Sequence, residues 1–401
     1  VATVRVRLEI TDPQFFTDTQ NKREAVRVWQ VRPVLPHWIE WWDGSTARVW
    51  IKVPSIPAGG SVDIYMYYGN PDAQDASNGT AVFDFFDDFE TFTGWTQYSS
   101  GVVSQSSDVA RSGTYSAKKD SYADPNGAYK SLGFTLDYPF ILEAWVNRTY
   151  LSGSNSDRIG VIDNNGNGYG PGVTMSGPDI GIDVRSGYSG SLQNRTTLSQ
   201  SVTNDWYFVR FIWNNGDMTA EAYYNNSLIG SSTYTHTSYT SFTRVYIFGG
   251  YTYYVDDLRI RKYADPEPTV TIGPEESSDA PGWAYRRKIT ISNPGTTDLT
   301  DFQVAIDLNT GNFDFTKAQS SGQDVRFMLA DTTSLEMSYY IETWDTVTPK
   351  AVIWVALDET DPDFYIETNP NYSTDNSDPN VMNLPESTVH TVVKVFRRES
   401  V

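Results

Sequence analysis

Carboxylates and aromatic rings are the residues of this 401-residue chain whose types and spacing could carry chemistry. Asp87, Asp88 and Glu90 stand at the start of a strand-rich middle segment, and Asp256 and Asp257 stand at its end. Should the two ends adjoin, five hard oxygen donors would suit Ca2+, the one ion suggested here; otherwise they are simply acidic strand ends. The run Asp163-Asn164-Asn165-Gly166-Asn167-Gly168 has the first half of a calcium loop, but Thr174 stands where the closing Glu would be, and an Asn-Gly turn accounts for it equally. His37, His236 and His390 are scattered and offer neither metal spacing nor a nucleophile-base pair. Glu143 and Glu221 lie on candidate strands, where solvated faces are their expected place. A glycosidase would need two carboxylates about 5–10 Å apart. No phosphate loop is present, so no enzyme activity and no organic cofactor is expected. Trp145, Trp206 and Trp213, or Tyr223, Tyr224, Tyr251 and Tyr253, could form a platform for glycans; alternating aromatics of this kind also divide between core and surface.

Those side chains must be held by strands. Aromatics are 14% of the residues, Gly, Asn and Ser are common, and no long stretch has helical periodicity, so the chain reads as all-β with many turns. A net charge of -20 argues against nucleic acid as a partner, because phosphates would be repelled. No apolar run is long enough for a membrane span. Val1 is not an initiator Met, which fits a mature product or a fragment. Cysteine is absent. Acceptor sequons occur at Asn78, Asn147, Asn194, Asn225 and Asn371 and suit a glycoprotein outside the cell or on its surface.

One pattern occurs twice. His37-Trp38-Ile39-Glu40-Trp41-Trp42-Asp43 followed by Val49-Trp50-Ile51 is echoed by Tyr339-Tyr340-Ile341-Glu342-Thr343-Trp344-Asp345 followed by Ile353-Trp354-Val355. Upstream, Val4–Ile10 echoes Phe302–Leu308; downstream, Tyr68-Gly69-Asn70-Pro71 echoes Glu367-Thr368-Asn369-Pro370. The expected units are 1–82, a first sandwich; 83–273, a middle unit of short strands; 274–282, a polar linker with Pro near both ends; 283–385, a second sandwich; and 386–401, a terminal strand.

Trp283-x-Tyr285-Arg286-Arg287, the Ile-Glu-x-Trp-Asp core, the Val-Trp strand and Tyr67-Tyr68-Gly69-Asn70-Pro71 resemble a β-sandwich domain of unknown function from archaeal and bacterial surface proteins. The middle unit, opening at Phe86-Asp87-Asp88-Phe89 and closing at Tyr254–Arg261, resembles a concanavalin-like (laminin-G-type) jelly roll. The resemblance implies two like sandwiches flanking a jelly roll, whose first and last strands would bring the five acids together. In the early copy no counterpart of the Trp283–Ile291 strand precedes Val4, and the late copy has Glu367-Thr368 where the family has Tyr-Gly.

A sandwich short of one strand exposes an unpaired edge that invites strand addition. The tail 388–398 supplies a candidate strand, with Val389, Thr391, Val393 and Val395 on one face and Val392 and Phe396 on the other. The resulting expectation is a homopolymer built head to tail, with Val389, Thr391, Val393, Val395 and Phe396 as donor anchors and Val4, Val6, Leu8 and Ile10 as the acceptor edge. Its assembly resembles that of donor-strand-complemented extracellular filaments. Two other placements stay open: the tail as the last strand of its own unit, and the missing strand in sequence outside this chain. The rival function is a monomeric carbohydrate-binding adhesin or a piece of a larger surface protein.

Overall fold

Alternation writes the strands. In Thr46–Ile56, Ala47, Val49, Ile51 and Val53 are buried on one face while Arg48 and Lys52 point the other way. A computed structural model describes residues 3–10, 26–30, 34–98, 103–120, 126–137, 139–148, 157–176, 179–186, 192–197, 204–214, 216–235, 240–249, 252–278, 283–329, 339–345, 350–358, 364–368 and 394–397, and each structural statement below concerns these.

The chain is all-β. The first sandwich packs β3 (His37–Trp42), β4 (Thr46–Ile56) and β23 (Leu299–Asn309) against a sheet ordered β21 (Thr269–Ser277), β22 (Tyr285–Ser292), β5 (Ser61–Tyr68) and β24 (Arg326–Leu329). Its core joins Val49, Ile51, Ile64 and Met66 to Ile289, Ile291, Val304, Ile306 and Phe327.

The jelly roll lies between these strands in sequence. One of its sheets runs β18 (Ser227–Thr235), β17 (Asp217–Tyr224), β16 (Trp206–Asn214), β11 (Phe140–Arg148), β20 (Tyr253–Lys262), β9 (Ser116–Lys119) and β8 (Val103–Ser106), with β6 (Phe85–Asp87) also on β20. The other runs β15 (Leu192–Thr197), β14 (Asp179–Ser186), β13 (Gly168–Ser176), β12 (Asp157–Ile162), β19 (Ser241–Gly249), β10 (Asn126–Asp137) and β7 (Trp95–Tyr98).

The second sandwich has one sheet of β1 (Thr3–Ile10), β26 (Lys350–Asp358) and β25 (Tyr339–Asp345). Its other sheet is β2 (Val26–Gln30), β27 (Phe364–Thr368) and β28 (Lys394–Arg397).

This arrangement corrects the expected units. The place beside β5 is filled by β22 of the same chain, in register from Tyr285↔Tyr68 to Ser292↔Ser61. The first sandwich therefore has no vacancy there. Val4, Val6, Leu8 and Ile10 are not its edge; they lie in β1, opposite Leu357, Val355, Ile353 and Ala351 of β26. Nor is 274–282 a free linker: β21 continues to Ser277, with an irregularity between Ile272 and Glu275. Pro274 is tolerated at that bulge because β21 is an edge strand and needs no N–H there. Val395 and Phe396 lie in β28, parallel to β27 of their own chain and opposite Ile366 and Glu367. Val389, Thr391 and Val393 fall outside the described residues.

The repeat itself is structural. In both copies the register slips at the same glutamate, between Ile39 and Trp41 around Glu40 and between Ile341 and Thr343 around Glu342. Trp38 pairs with Trp50 as Tyr340 pairs with Trp354. The departure at Thr368 has a physical reason. Gly69 has φ +80°, and a Cβ there would meet Tyr285 Cδ2 at 2.8 Å, so the arrival of β22 requires glycine. Beside Thr368 stands β28 instead of a Tyr285-type strand.

Candidate functional site

The bulge at Glu40 turns two successive side chains toward the jelly roll. Glu40 points into a buried contact, where its Oε2 accepts Trp50 Nε1 at 2.8 Å and its Oε1 accepts Trp145 Nε1 at 3.1 Å and Arg259 Nη1 at 2.9 Å. Arg259, fully buried, also donates Nε to Glu143 Oε2 at 2.9 Å, and Arg261 and Arg210 donate to Glu143 Oε1 at 3.0 and 3.1 Å. The Arg259 guanidinium lies 5.2–5.5 Å from the ring centres of Trp38, Trp50, Phe83 and Phe208. A single-turn helix, α1 (Gly79–Val82), capped by Asn78, sets Val82 and Phe83 against Trp38 and Trp50. Burial works against ionisation of Glu143, but Arg261, Arg259 and Arg210 overcome it and hold the carboxyl well below the usual range. The same opposition, with Arg259 and Arg48 as the cations, leaves Glu40 lowered. This network joins the outer face of the β11–β20 sheet to the β3–β4 face of the first sandwich.

Next to the network opens a cleft of about 530 Å³, inside the range of roughly 300–1,000 Å³ usual for ligand sites. From the sandwich, Trp41, Arg48 and Asp307 stand in one row across β3, β4 and β23, and Asp43 and Asn309 follow two residues further along the chain. Arg111 and Asn226 face them from the jelly roll. Arg48 makes a two-pronged pair with Asp307, at 2.6 and 3.1 Å, and lies over the Trp41 ring at 4.7 Å. Arg111 lies over Trp145 at 4.3 Å. Asp43 closes a turn by accepting the Thr46 and Ser45 N–H groups at 2.7 and 2.8 Å, which holds its carboxyl below the usual range. Two guanidiniums and two carboxylates offset one another, so the lining has no net charge. Indole faces beside planar polar groups suit a neutral, hydroxyl-rich ligand.

The expected site residues are distributed otherwise. Glu143, expected on a solvated face, is fully buried, and Glu221 instead accepts Tyr223 Oη at 2.6 Å. Trp213 and Tyr253 belong to the jelly-roll core, Trp145 to the interface, Trp206 is half-buried, and Tyr224 donates to Asp205; no single platform forms among them. Tyr251 falls outside the described residues.

Each of the five acids accepts hydrogen bonds from protein donors. Asp87 accepts Trp95 Nε1 and Lys130 Nζ, Asp88 accepts its neighbour's Glu90 N, and Glu90 accepts Thr114 N and Tyr115 N. Asp256 accepts Arg111 N and Ser112 N, and Asp257 accepts Ser112 Oγ. Among the described residues no group of three or more His, Cys, Asp or Glu is arranged to hold a metal. Asp163 accepts Asn165 N and Asn167 N, closing its own turn. Of the sequons, Asn78 and Asn225 are exposed, the latter in a hairpin turn at φ +49°. Asn147 is 4% exposed within β11, which removes it as a glycosylation site. Asn194 lies in β15, and Asn371 falls outside the described residues. His37 is buried and lowered to about 4 by desolvation, while His236 and His390 are not described.

The cleft residues were missed because they come from units treated as separate. Arg259-x-Arg261, two cations on one strand face, signals the buried carboxylates of the adjoining network, not the cleft itself.

Comparison with known proteins agrees with the two kinds of unit. Residues 22–98 and 321–383 match a domain of unknown function (DUF2341), and residues 118–264 match the concanavalin A-like lectin/glucanases superfamily. An uncharacterised protein of Methanocaldococcus jannaschii is 40% identical over 188 residues, 45% of this chain; the chain covers only 19% of that relative's length. Among solved structures, a carbohydrate-binding module, CBM66, from Bacillus subtilis is similar at 13% identity and a TM-score of 0.30, covering 42% of this chain and 95% of that one. A protein of unknown function with a galectin-like fold, also from Bacillus subtilis, is similar at 10% identity and 0.31, covering 49% and 97%. No helix among the described residues is long and apolar enough to cross a membrane. The chain thus combines segments similar to DUF2341 with a concanavalin A-like domain.

Proposed function

We propose that this chain is a carbohydrate-binding part of an extracellular surface protein, and that its glycan site is the cleft between the first sandwich and the jelly roll. The observation that carries this is the Trp41–Arg48–Asp307 row facing Arg111 and Asn226 across an electrically balanced cleft. A neutral sugar would lay its C–H face on the indole and share hydroxyls with the guanidinium, carboxylate and amide groups. The lectin-containing superfamily matched by residues 118–264 supports the same class of ligand. What supports binding without turnover is that Asp307 is paired with Arg48, Asp43 is spent on its turn, and Glu143 is locked by three arginines. Calorimetric titration with a panel of neutral oligosaccharides tests the proposal. Trp41→Ala should weaken binding at least tenfold, the loss of one aromatic anchor being worth about 2 kcal/mol, without changing the melting temperature. Absence of binding across the panel, or equal affinity in the variant, would refute it.

A second reading is a thread of like copies joined head to tail. The first sandwich no longer offers it a vacancy. It is favoured instead by the second sandwich, which is assembled from residues far apart in the chain.

A further inference from the structure

The second sandwich is built from two segments, 3–30 and 339–397, that share no continuous chain. Segment 3–30 contributes β1 to one sheet and β2 to the other, so it clasps its partner from both sides. Among the described residues β1 pairs only with β26, through eight residues, and β2 only with β27, through five. Neither pairs with the first sandwich or the jelly roll. Among the described residues, every strand pairing of β1 and β2 is therefore one that β26 and β27 of another copy would offer identically.

The connections meet at one place. Val34 bridges Met328 and Leu35 N donates to Phe327 O at 2.7 Å, so both chain segments leave the first sandwich side by side. On one side only residues 31–33 separate that bridge from β2; on the other, residues 330–338 precede β25. From Gln30 to Val34 a fully extended chain reaches about 14 Å. Two strands in different sheets have no stable fold of their own, so segment 3–30 must find a partner.

We propose that the second sandwich is an exchangeable joint, in which β1 and β2 of one copy pair with β26 and β27 of the next. This rests on the second reading above and names its contact, with the early segment as donor and the late segment as acceptor. Each copy carries one of each, so the contact is heterologous and propagates unless it closes into a ring.

The chain has no cysteine, which makes the test direct. Neighbouring pairs of an antiparallel ladder alternate in geometry, so two double variants of the full chain are made, Val6→Cys with Val355→Cys and Arg5→Cys with Ala356→Cys, each opposite in register. A third, Val49→Cys with Ile306→Cys, places its pair inside the first sandwich as a control. After mild oxidation at high protein concentration, a non-reducing denaturing gel should show the first two as linked multimers that rise with concentration and collapse on reduction. The control should stay monomeric. Only intrachain disulfides at every concentration, or none in either β1 variant, would overturn the joint. A product stopping at twice the monomer mass would support exchange and refute the thread, while a ladder with threads in negative-stain images would support both.

Discussion

At the scale of single residues, the buried acids behave in opposite ways according to their partners. Glu143 and Glu40 face guanidiniums and stay ionised. Asp256 and Asp257 face backbone N–H groups, a hydroxyl and each other. Desolvation comes first for both, with the neighbouring carboxylate adding to it for Asp256 and Glu40 adding to it for Asp257, and the two are raised above the ordinary range. The folded chain thus keeps protons that the unfolded chain loses from about pH 4 upward. Stability falls as pH rises from there toward the elevated folded values, and levels off beyond them. His37, lowered by burial to about 4, slopes the other way over its own interval, so the informative quantity is the difference between variant and parent. Asp256→Asn with Asp257→Asn should make that difference grow in the variant's favour as pH rises from about 4, leaving the variant's melting temperature above the parent's at pH 8. Asn tolerates the φ of +49° at position 257. An unchanged pH dependence would show that the pair is ionised in the folded chain. Little of this is legible in the sequence: two adjacent aspartates near a strand end do not reveal their burial, and only the fold shows that they accept Arg111 N, Ser112 N and Ser112 Oγ.

At the scale of elements, the strands were legible and their partners were not. The repeated motif marked β3 and β4 in the early copy and β25 and β26 in the late one. Because the two copies carry the same strand types, halves of either can complete the other, and local pattern does not decide between them. What decides is chain connection: the jelly roll returns β21 and β22 to β5, leaving β1 and β2 for β26 and β27. Gly69 was the local clue, since its close approach to Tyr285 specifies that neighbour. A chain ending at 273 should therefore lack a folded first sandwich, with the loss of Ile289 and Ile291 alone removing roughly 1.5–3 kcal/mol each of apolar burial. Adding a separate polypeptide of residues 283–329 should restore it, read as recovery of near-ultraviolet circular dichroism from Trp38, Trp41, Trp42 and Trp50. Recovery without the added segment would place the sandwich wholly within the early residues.

At the scale of the whole molecule, the Glu40–Arg259–Glu143 network makes one body of the first sandwich and the jelly roll. Removing one member of a buried charge network leaves the others uncompensated, at a cost of about 3–5 kcal/mol. Arg259→Met should impose that loss and split calorimetric unfolding into separate jelly-roll and sandwich transitions, where the parent should unfold the pair in one. A variant that still unfolds in a single step would mean that contacts other than this network join the two.

Nesting also dictates an order of events during synthesis. Arg48 and its partner Asp307 lie 259 positions apart, and β4 obtains its neighbour β23 only after the entire jelly roll has left the ribosome. Until then the nascent chain carries half a sandwich with an apolar face and an open edge. Contacts of such range make assembly slow and leave that half prone to sticking to other chains. The jelly roll, whose strands all lie between β5 and β21, is free to fold first, and in doing so it carries the late strands back to the early ones.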